Sequence, residues 1–308
     1  MPEKTKRYNL YSQHLRELFD CKVYKVTLDA GFSCPNRDGT LSTLGCIYCD
    51  EGGSFSQAQE SAWPIQKQLE IGMNKLSNRF KAKRFISYFQ AYTNTYLSPE
   101  QLKLIYDQAL CFEDVVGLSI ATRPDCVTPE IIELVQSYAK NYYVWLEYGL
   151  QSIHNKSLKL INRGHAVDDF YKAYAMTRKY GPDINVCAHV ILGLPGETKT
   201  DMILTAQKLS ELGIDGAKIH LLCVLKNTTL EKIYLNGDFE PLNQQEYVTA
   251  VADFLEHLSP SITIHRMAGN GLKKILVAPR WLSKKFELIN QIDHELEQRN
   301  SYQGKALN

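Results

Sequence analysis

The feature that most limits how this chain can fold is an alternation repeated six times. Strand-like runs occupy Lys22–Asp29, Arg84–Tyr92, Val115–Arg123, Tyr142–Leu150, Asn185–Leu194 and Ala217–Leu225, rich in Val, Ile and Tyr and mostly bounded by Gly, Pro or Asp. Helix-length segments lie between them. Ser98-Pro99-Glu100-Gln101 offers a capping serine, a proline at the first helical position and a glutamine at the capping-box position. Thr128-Pro129 repeats the cap and proline ahead of the apolar stripe Ile131, Ile132, Leu134, Val135 and Tyr138. Asp168–Tyr180 and Thr200–Leu212 read the same way. Strand followed by helix, six times over, predicts an α/β fold with a parallel sheet and right-handed connections. Curled on itself, it is a partial (β/α)6 TIM-type barrel. Residues 1–20 form an N-terminal helical extension, 21–230 the barrel, and 231–308 a small C-terminal α/β extension. That extension carries a helix at Gln244–Leu258, a strand-like Ser261–Met267, a basic segment and a charged terminal helix.

In such barrels chemistry sits at the C-terminal ends of the strands. Directly after the first strand stands Cys34-Pro-Asn-Arg-Asp-Gly-Thr-Leu-Ser-Thr-Leu-Gly-Cys46-Ile-Tyr-Cys49. Three thiolates do not close a four-ligand structural zinc site. They do hold three irons of a 4Fe-4S cluster and leave the fourth open to a small molecule, since soft sulfur suits zinc or iron–sulfur chemistry. Cys46-Ile-Tyr-Cys49 taken alone is also open to reading as half a zinc knuckle or a redox pair. Against the first stands the lack of a second Cys-x-x-Cys; the second gives Cys34 no role. Cys21, Cys111, Cys126 and Cys187 show no ligand spacing. Eight cysteines in 308 residues do not make a disulfide scaffold, so a reducing, cytoplasmic location is expected. No apolar run reaches the length of a membrane span. The basic Met1–Arg7 is followed by no hydrophobic stretch, so no secretory signal is expected.

Net charge is +1, which gives no global field toward nucleic acid. Locally, Arg266–Phe286 holds Arg266, Lys273, Lys274, Arg280, Lys284 and Lys285 without an acid, beside Trp281. Arg79, Lys81, Lys83 and Arg84 form a second cluster. Either is a solvated face or a nucleic-acid footprint.

These motifs, in this order on these strands, resemble the radical S-adenosylmethionine (SAM) superfamily over roughly residues 20 to 285. The similarity is to the Elp3-like branch and its bacterial YtqA/YhcC-type subgroup, which spaces the first two cysteines by eleven residues, as Cys34 and Cys46 are. The resemblance implies a 4Fe-4S cluster on Cys34, Cys46 and Cys49, with SAM on the open iron. It implies that Tyr48 packs on the adenine. Relatives carry a glycine-rich turn where Gln90-Ala91-Tyr92-Thr93 stands, so backbone contacts from Ala91 and Tyr92, with Thr93, carry over. Ala121-Thr122-Arg123-Pro124-Asp125 matches a hallmark of the branch, although relatives place a glutamate at Ala121. Arg123 either pairs with a carboxylate bidentately or is structural. Gln151 and Arg163, the latter in Asn162-Arg163-Gly164-His165, match SAM contacts. His189 and Ile191, in the segment His189–Glu197, line the adenine or ribose, with His189 a satisfied core histidine in the other reading. Glu147 lies in an apolar strand and needs a partner, Arg123 or Arg163. His220, Cys223 and Lys226 are plausible substrate contacts, and no catalytic residue is assigned.

The subgroup is associated with tRNA wobble-uridine modification, taking a carboxymethylaminomethyl group to aminomethyl. The expected partners are therefore tRNA, engaged through Arg266–Phe286 and Arg79–Arg84, and a reductant such as flavodoxin or ferredoxin. A radical SAM enzyme acting on a small molecule or protein, and a non-catalytic zinc or iron–sulfur RNA-binding module, are the alternatives.

Overall fold

Seven parallel strands curl side by side in strictly sequential order. The computed structural model describes residues 6–50, 52–53, 63–268, 274–283 and 285–307. The strands are β1 (Val23–Leu28), β2 (Arg84–Phe89), β3 (Val115–Thr122), β4 (Tyr143–Gln151), β5 (Asn185–Leu192), β6 (Gly216–Leu221) and, after a short β7 (Val224–Leu225), β8 (Thr263–Arg266). Each main-sheet pair is parallel, as β-α-β connection requires. The crossovers are α2 (Ile65–Phe80), α3 (Pro99–Gln108), α4 (Pro129–Ala139), α6 (Val167–Tyr180), preceded by the short α5 (Asn155–Leu160), and α7 (Lys199–Leu212). The partial barrel is as the alternation predicts, with one strand more. The run Ala217–Leu225 splits into β6 and β7, and β7 pairs antiparallel with β9 (Leu276–Ala278). The seventh place in the sheet goes to β8.

Local chemistry sets the helix starts. Ser98 Oγ accepts from Gln101 N while Gln101 returns a bond to Ser98 N, and Thr128 accepts from Ile131 N. Each bond satisfies a helix N–H that has no partner within its own helix. α8 (Thr229–Leu235) is capped likewise by Thr228.

The outer faces of the strands meet the helices in one large core, to which Val26, Phe89, Leu118, Leu146, Val186 and Ile219 contribute. α9 (Gln244–Glu256) and α10 (Lys285–Gln298) enter the same core through Val251, Leu255, Leu288 and Ile292. The other end of the half-barrel is closed by α1 (Tyr11–Phe19). Tyr11 stacks on His265 at 3.8 Å between ring centres, and the Trp145 ring meets His265 edge-on at 4.3 Å. Asn9 O accepts from Ile264 N at 2.7 Å, which covers the β8 edge. The half-barrel therefore has a closed floor at the N-terminal strand ends and a mouth at the C-terminal ends. Among the described residues no helix is long and apolar enough to cross a membrane.

Candidate active site

The loop after β1 is wound by its own backbone. Arg37 N and Asp38 N donate to Cys34 O, Gly45 N to Asn36 O, and Cys49 N to Cys46 O. It is then tied to the turn after α5. Asn36 Nδ2 donates to Asn162 O and Asn162 Nδ2 to Gly45 O, both at 2.7 Å, while Ile47 N donates to Ile161 O at 3.0 Å. Gly164 sits at φ +78°, and a Cβ there would lie 2.8 Å from Asn36 Oδ1. Only glycine fits that approach without strain. The Asn162–His165 motif thus anchors the cysteine loop.

Donors converge on the sulfurs. Arg37 Nη1 is 3.2 Å from Cys49 Sγ, Asn36 Nδ2 is 3.6 Å from Cys46 Sγ, and Arg163 Nη1 is 3.8 Å from the same atom. Two guanidiniums thus place positive charge beside the sulfurs, which stabilises a sulfur-bound anionic centre. Arg37 did not stand out in the sequence, because a single arginine in a polar loop carries no pattern. Three thiolates on one tetrahedral zinc would stand about 3.8 Å apart, from a Zn–S bond of about 2.3 Å. Among the described residues, the single group of three ligand-type side chains with donor atoms all within 4.8 Å is Glu147, Cys187 and His265. Cys34, Cys46 and Cys49 all line one cavity, and three thiolates there leave one coordination place of a cluster open to a small molecule.

Below the loop opens a cavity of about 840 Å3. Cys34, Cys46 and Cys49 line it, as do Tyr48, Tyr92, Thr93 and Arg123, together with Gln151, Arg163, His189 and Ile191. Ala91 is buried and does not line it. Tyr92 and Gln151, at the ends of β2 and β4, hold φ of 63° and 73°, a region costly for side-chain-bearing residues. Arg163 Nη2 donates to Gly149 O at 2.8 Å, and a Cβ on Gly149 would meet that nitrogen at 2.5 Å. Burial and the neighbouring Cys46 push the Tyr48 phenol up, so it stays neutral; its ring packs on the buried cluster containing Leu158, Ile161 and Ile191. Thr93 Oγ1 and Asn36 Oδ1 are buried without a partner among the described residues. Such orphans are rare in finished structure and mark where a bound group supplies the partner.

Arg123 is committed elsewhere. Nε and Nη2 hold Asp125 bidentately at 2.8 and 2.7 Å, and Nη1 donates to Arg163 O at 2.8 Å. Burial raises the Asp125 carboxyl, yet this pairing outweighs it and holds it below its ordinary value. The fork positions Arg163 and has no donor pair left for a ligand carboxylate.

The floor corrects the reading of Glu147. Neither Arg123 nor Arg163 pairs with it. Fully buried, it is held by Lys25, by Lys218 at 2.5 Å and by His189 Nε2 at 2.7 Å, with Ser119 Oγ on the same oxygen as Lys25. Burial alone would raise its carboxyl; Lys218 and Lys25 outweigh that and hold it well below the usual range. His189 is pushed down to about 4 by burial and by Lys218, so it is neutral and answers to Glu147 while still facing the cavity. Burial pushes Lys218 down to about 8 against the pull of Glu147. Two ammonium groups already occupy the carboxylate, so the Glu147, Cys187 and His265 group does not invite a cation. Lys25 and Lys218 were missed. The available signal was a lone lysine in each of two strands, the complement of a lone glutamate in a third.

The basic segment also divides. Arg266 faces the cavity rather than solvent. Trp281 packs on the core, its ring 5.9 Å from Tyr247, and is not free to stack on a base. Lys274, Arg280 and Phe286 are exposed, Phe286 to 84%. Lys273 and Lys284 lie outside the described residues, as does the side chain of Lys285. In the second cluster Arg84 pairs with Asp114 at 3.0 Å, and Lys75 and Arg79 line the cavity opening with Phe286. His220 and Cys223 line the cavity; Lys226 does not.

A three-cysteine loop lies over the mouth of a parallel half-barrel, and the chain belongs to the Radical SAM superfamily, which it matches over residues 40–232. Residues 214–298 match the Radical_SAM C-terminal domain. The chain is similar to the Uncharacterized protein YtqA of Bacillus subtilis (strain 168), 41% identical over 300 residues covering 97% of this chain and 92% of that protein. It is 32% identical over 141 residues to the tRNA uridine(34) acetyltransferase of Methanocaldococcus infernus, 44% of this chain and 25% of that protein. Among solved structures, the archaeal Methanocaldococcus infernus Elp3 with N-terminus deletion has a TM-score of 0.69 at 17% identity, covering 91% of this chain and 64% of that one. At that identity the likeness speaks for the fold. The superfamily's cofactors are a 4Fe-4S cluster and SAM.

Proposed function

We propose that this chain is a radical SAM enzyme that acts on the wobble uridine of tRNA, taking a carboxymethylaminomethyl substituent to aminomethyl. When bound, the reduced cluster and SAM supply a deoxyadenosyl radical able to take hydrogen from an unactivated carbon. Cys34, Cys46 and Cys49 hold the cluster. Arg37 and Arg163 donate toward its sulfur ligands and stabilise their negative charge. Thr93 Oγ1 and the backbone of the strained Tyr92 and Gln151 orient SAM, with Tyr48 and Ile191 as its apolar wall. His189, kept neutral by burial, offers no proton to the radical chemistry.

The observation that carries the substrate reading is the shape and rim of the cavity. It has a volume of about 840 Å3, and its lining includes the exposed Lys75, Arg79 and Phe286. Cations that neutralise phosphate beside an aromatic on which a base can stack are the means by which single-stranded RNA is held. An anticodon-loop base is unpaired and enters such a cavity without melting a duplex. The partial similarity to a tRNA uridine(34) acetyltransferase supports the same target. Nucleosides of total tRNA from cells with and without the gene test the proposal. Loss of the gene should raise carboxymethylaminomethyluridine and lower its aminomethyl products; unchanged wobble nucleosides would sink it.

A further inference from the structure

Among the described residues, Arg266 is the charged group of the cavity floor left without a partner. Lys25 Nζ has three N–H donors and three acceptors within reach, on Ser119, Glu147 and His265. Lys218 Nζ spends two, on Tyr88 Oη at 2.6 Å and Glu147 Oε2 at 2.5 Å, and keeps one. Arg266 carries five donors and makes no hydrogen bond or ion pair among the described residues, although it sits in a partly desolvated site near Tyr88, Glu147, Tyr247 and Cys223. Arg266 is half-buried, and a bound anion would recover the part of its hydration that the site removes.

The backbone aims it there. Between β6 and β8 the register slips: Ala217 pairs with Ile264, and Lys218 with Arg266, so His265 is the extra residue of a bulge. A bulge lets two consecutive residues turn to one face. His265 is thus directed to the closed floor beneath Glu147 and Arg266 to the open cavity beside Lys218. Three cations, Lys25, Lys218 and Arg266, face one carboxylate, Glu147. The imidazoles of His189, His220 and His265 are all pushed toward neutrality by burial and add nothing to either side. The floor therefore holds an uncompensated positive charge, concentrated on the group with free donors.

We propose that Arg266, seconded by the remaining donor of Lys218, is an anion subsite that takes a carboxylate of the substrate. The planar fork suits a bidentate carboxylate. This deepens the proposed function and rests on it only for the identity of the substrate: the carboxymethylaminomethyl group ends in a carboxylate. Insertion of that group to the floor would place the adjoining carbon chain in the cavity between Arg266 and the cysteine loop, and aminomethyl product would lose the anchor.

Two arms test it in the anaerobically reconstituted, SAM-saturated protein. In the first, N-benzylglycine and its uncharged amide are titrated by calorimetry, which requires no RNA. The parent should bind the acid at least tenfold more tightly than the amide. Arg266→Gln should reduce that preference to about twofold, and Arg266→Lys, which keeps charge but not the fork, should fall between, with iron content and SAM affinity as in the parent. Equal binding of acid and amide by the parent overturns the subsite even if the glutamine variant does not fold. Full preference retained in Arg266→Gln overturns it too. In the second arm an anticodon stem-loop with carboxymethylaminomethyluridine is compared with its amide. Acid preference in the first arm with no recognition of the stem-loop upholds the subsite and removes the tRNA reading. Turnover of acid and amide stem-loops alike upholds tRNA and removes the subsite.

Discussion

The mouth and the floor of the half-barrel are built by opposite means. The mouth is contiguous: three sulfurs in sixteen residues, wound by backbone bonds and tied to one turn after α5, with Thr93 Oγ1 and Asn36 Oδ1 left unsatisfied. The floor is dispersed: one residue from each of β1, β3, β5 and β6 closes on Glu147 of β4. The mouth keeps polar atoms that a bound group would satisfy. The floor is complete at Glu147 and leaves donors at Arg266 and Lys218, with His265 Nε2 also unpaired among the described residues. Failure at the mouth should therefore cost chemistry, and failure at the floor should cost the fold.

The largest effect belongs to the mouth. Alanine at Cys34, Cys46 or Cys49 should abolish the cluster's visible absorption and SAM cleavage after anaerobic reconstitution; a variant retaining four irons and cleavage would break the assignment. Next comes the floor. Glu147→Gln leaves two buried ammonium groups without a counter-charge and should destabilise the apo protein by about 3–5 kcal/mol in urea unfolding. A loss below about 1 kcal/mol would mean the floor is more hydrated than its burial implies.

Acid should separate the regions further. Burial, with Lys218, pushes His189 down to about 4, and burial, with Arg163, pushes His165 down to about 3. Unfolded, both titrate near 6.5. Between pH 6.5 and these lowered values the unfolded chain binds more protons, so stability is full above 6.5 and falls as the pH drops through the window. Glu147, held low, acts in the same direction below its ordinary value. The two histidines together predict a loss of roughly 5 kcal/mol between pH 7 and 4.5 for the apo protein, and a flat urea midpoint would contradict it.

Arg163→Gln sharpens the mouth. It should weaken SAM binding about tenfold, or about 1.4 kcal/mol, with iron retained. Iron loss with unfolding would instead make Arg163 a pin of the cysteine loop. The smallest effect is outside both regions. Lys274→Glu with Arg280→Glu should weaken tRNA binding a few-fold and reduce the salt slope by about two charges in filter binding. Parent-like binding would leave that face merely solvated.

What the sequence alone determined is what repeats or adjoins. Strand and helix alternate with caps at fixed offsets, so the parallel half-barrel was legible, and Cys34, Cys46, Cys49, Asn162 and Arg163 stand in short recognisable runs. A local motif encodes local geometry, because a few backbone bonds suffice to wind it. The tertiary structure decided the rest. Glu147 was assigned to arginines near it in sequence pattern, yet it took lysines from strands 122 and 71 residues away. Arg266 was counted with a surface run of charge, yet the bulge at His265 turned it inward. Trp281 was offered to RNA, and Tyr247 took it. Curling a sheet brings the middles of distant strands onto one face, and which charge meets which depends on register and curvature, quantities that no single stretch of chain contains.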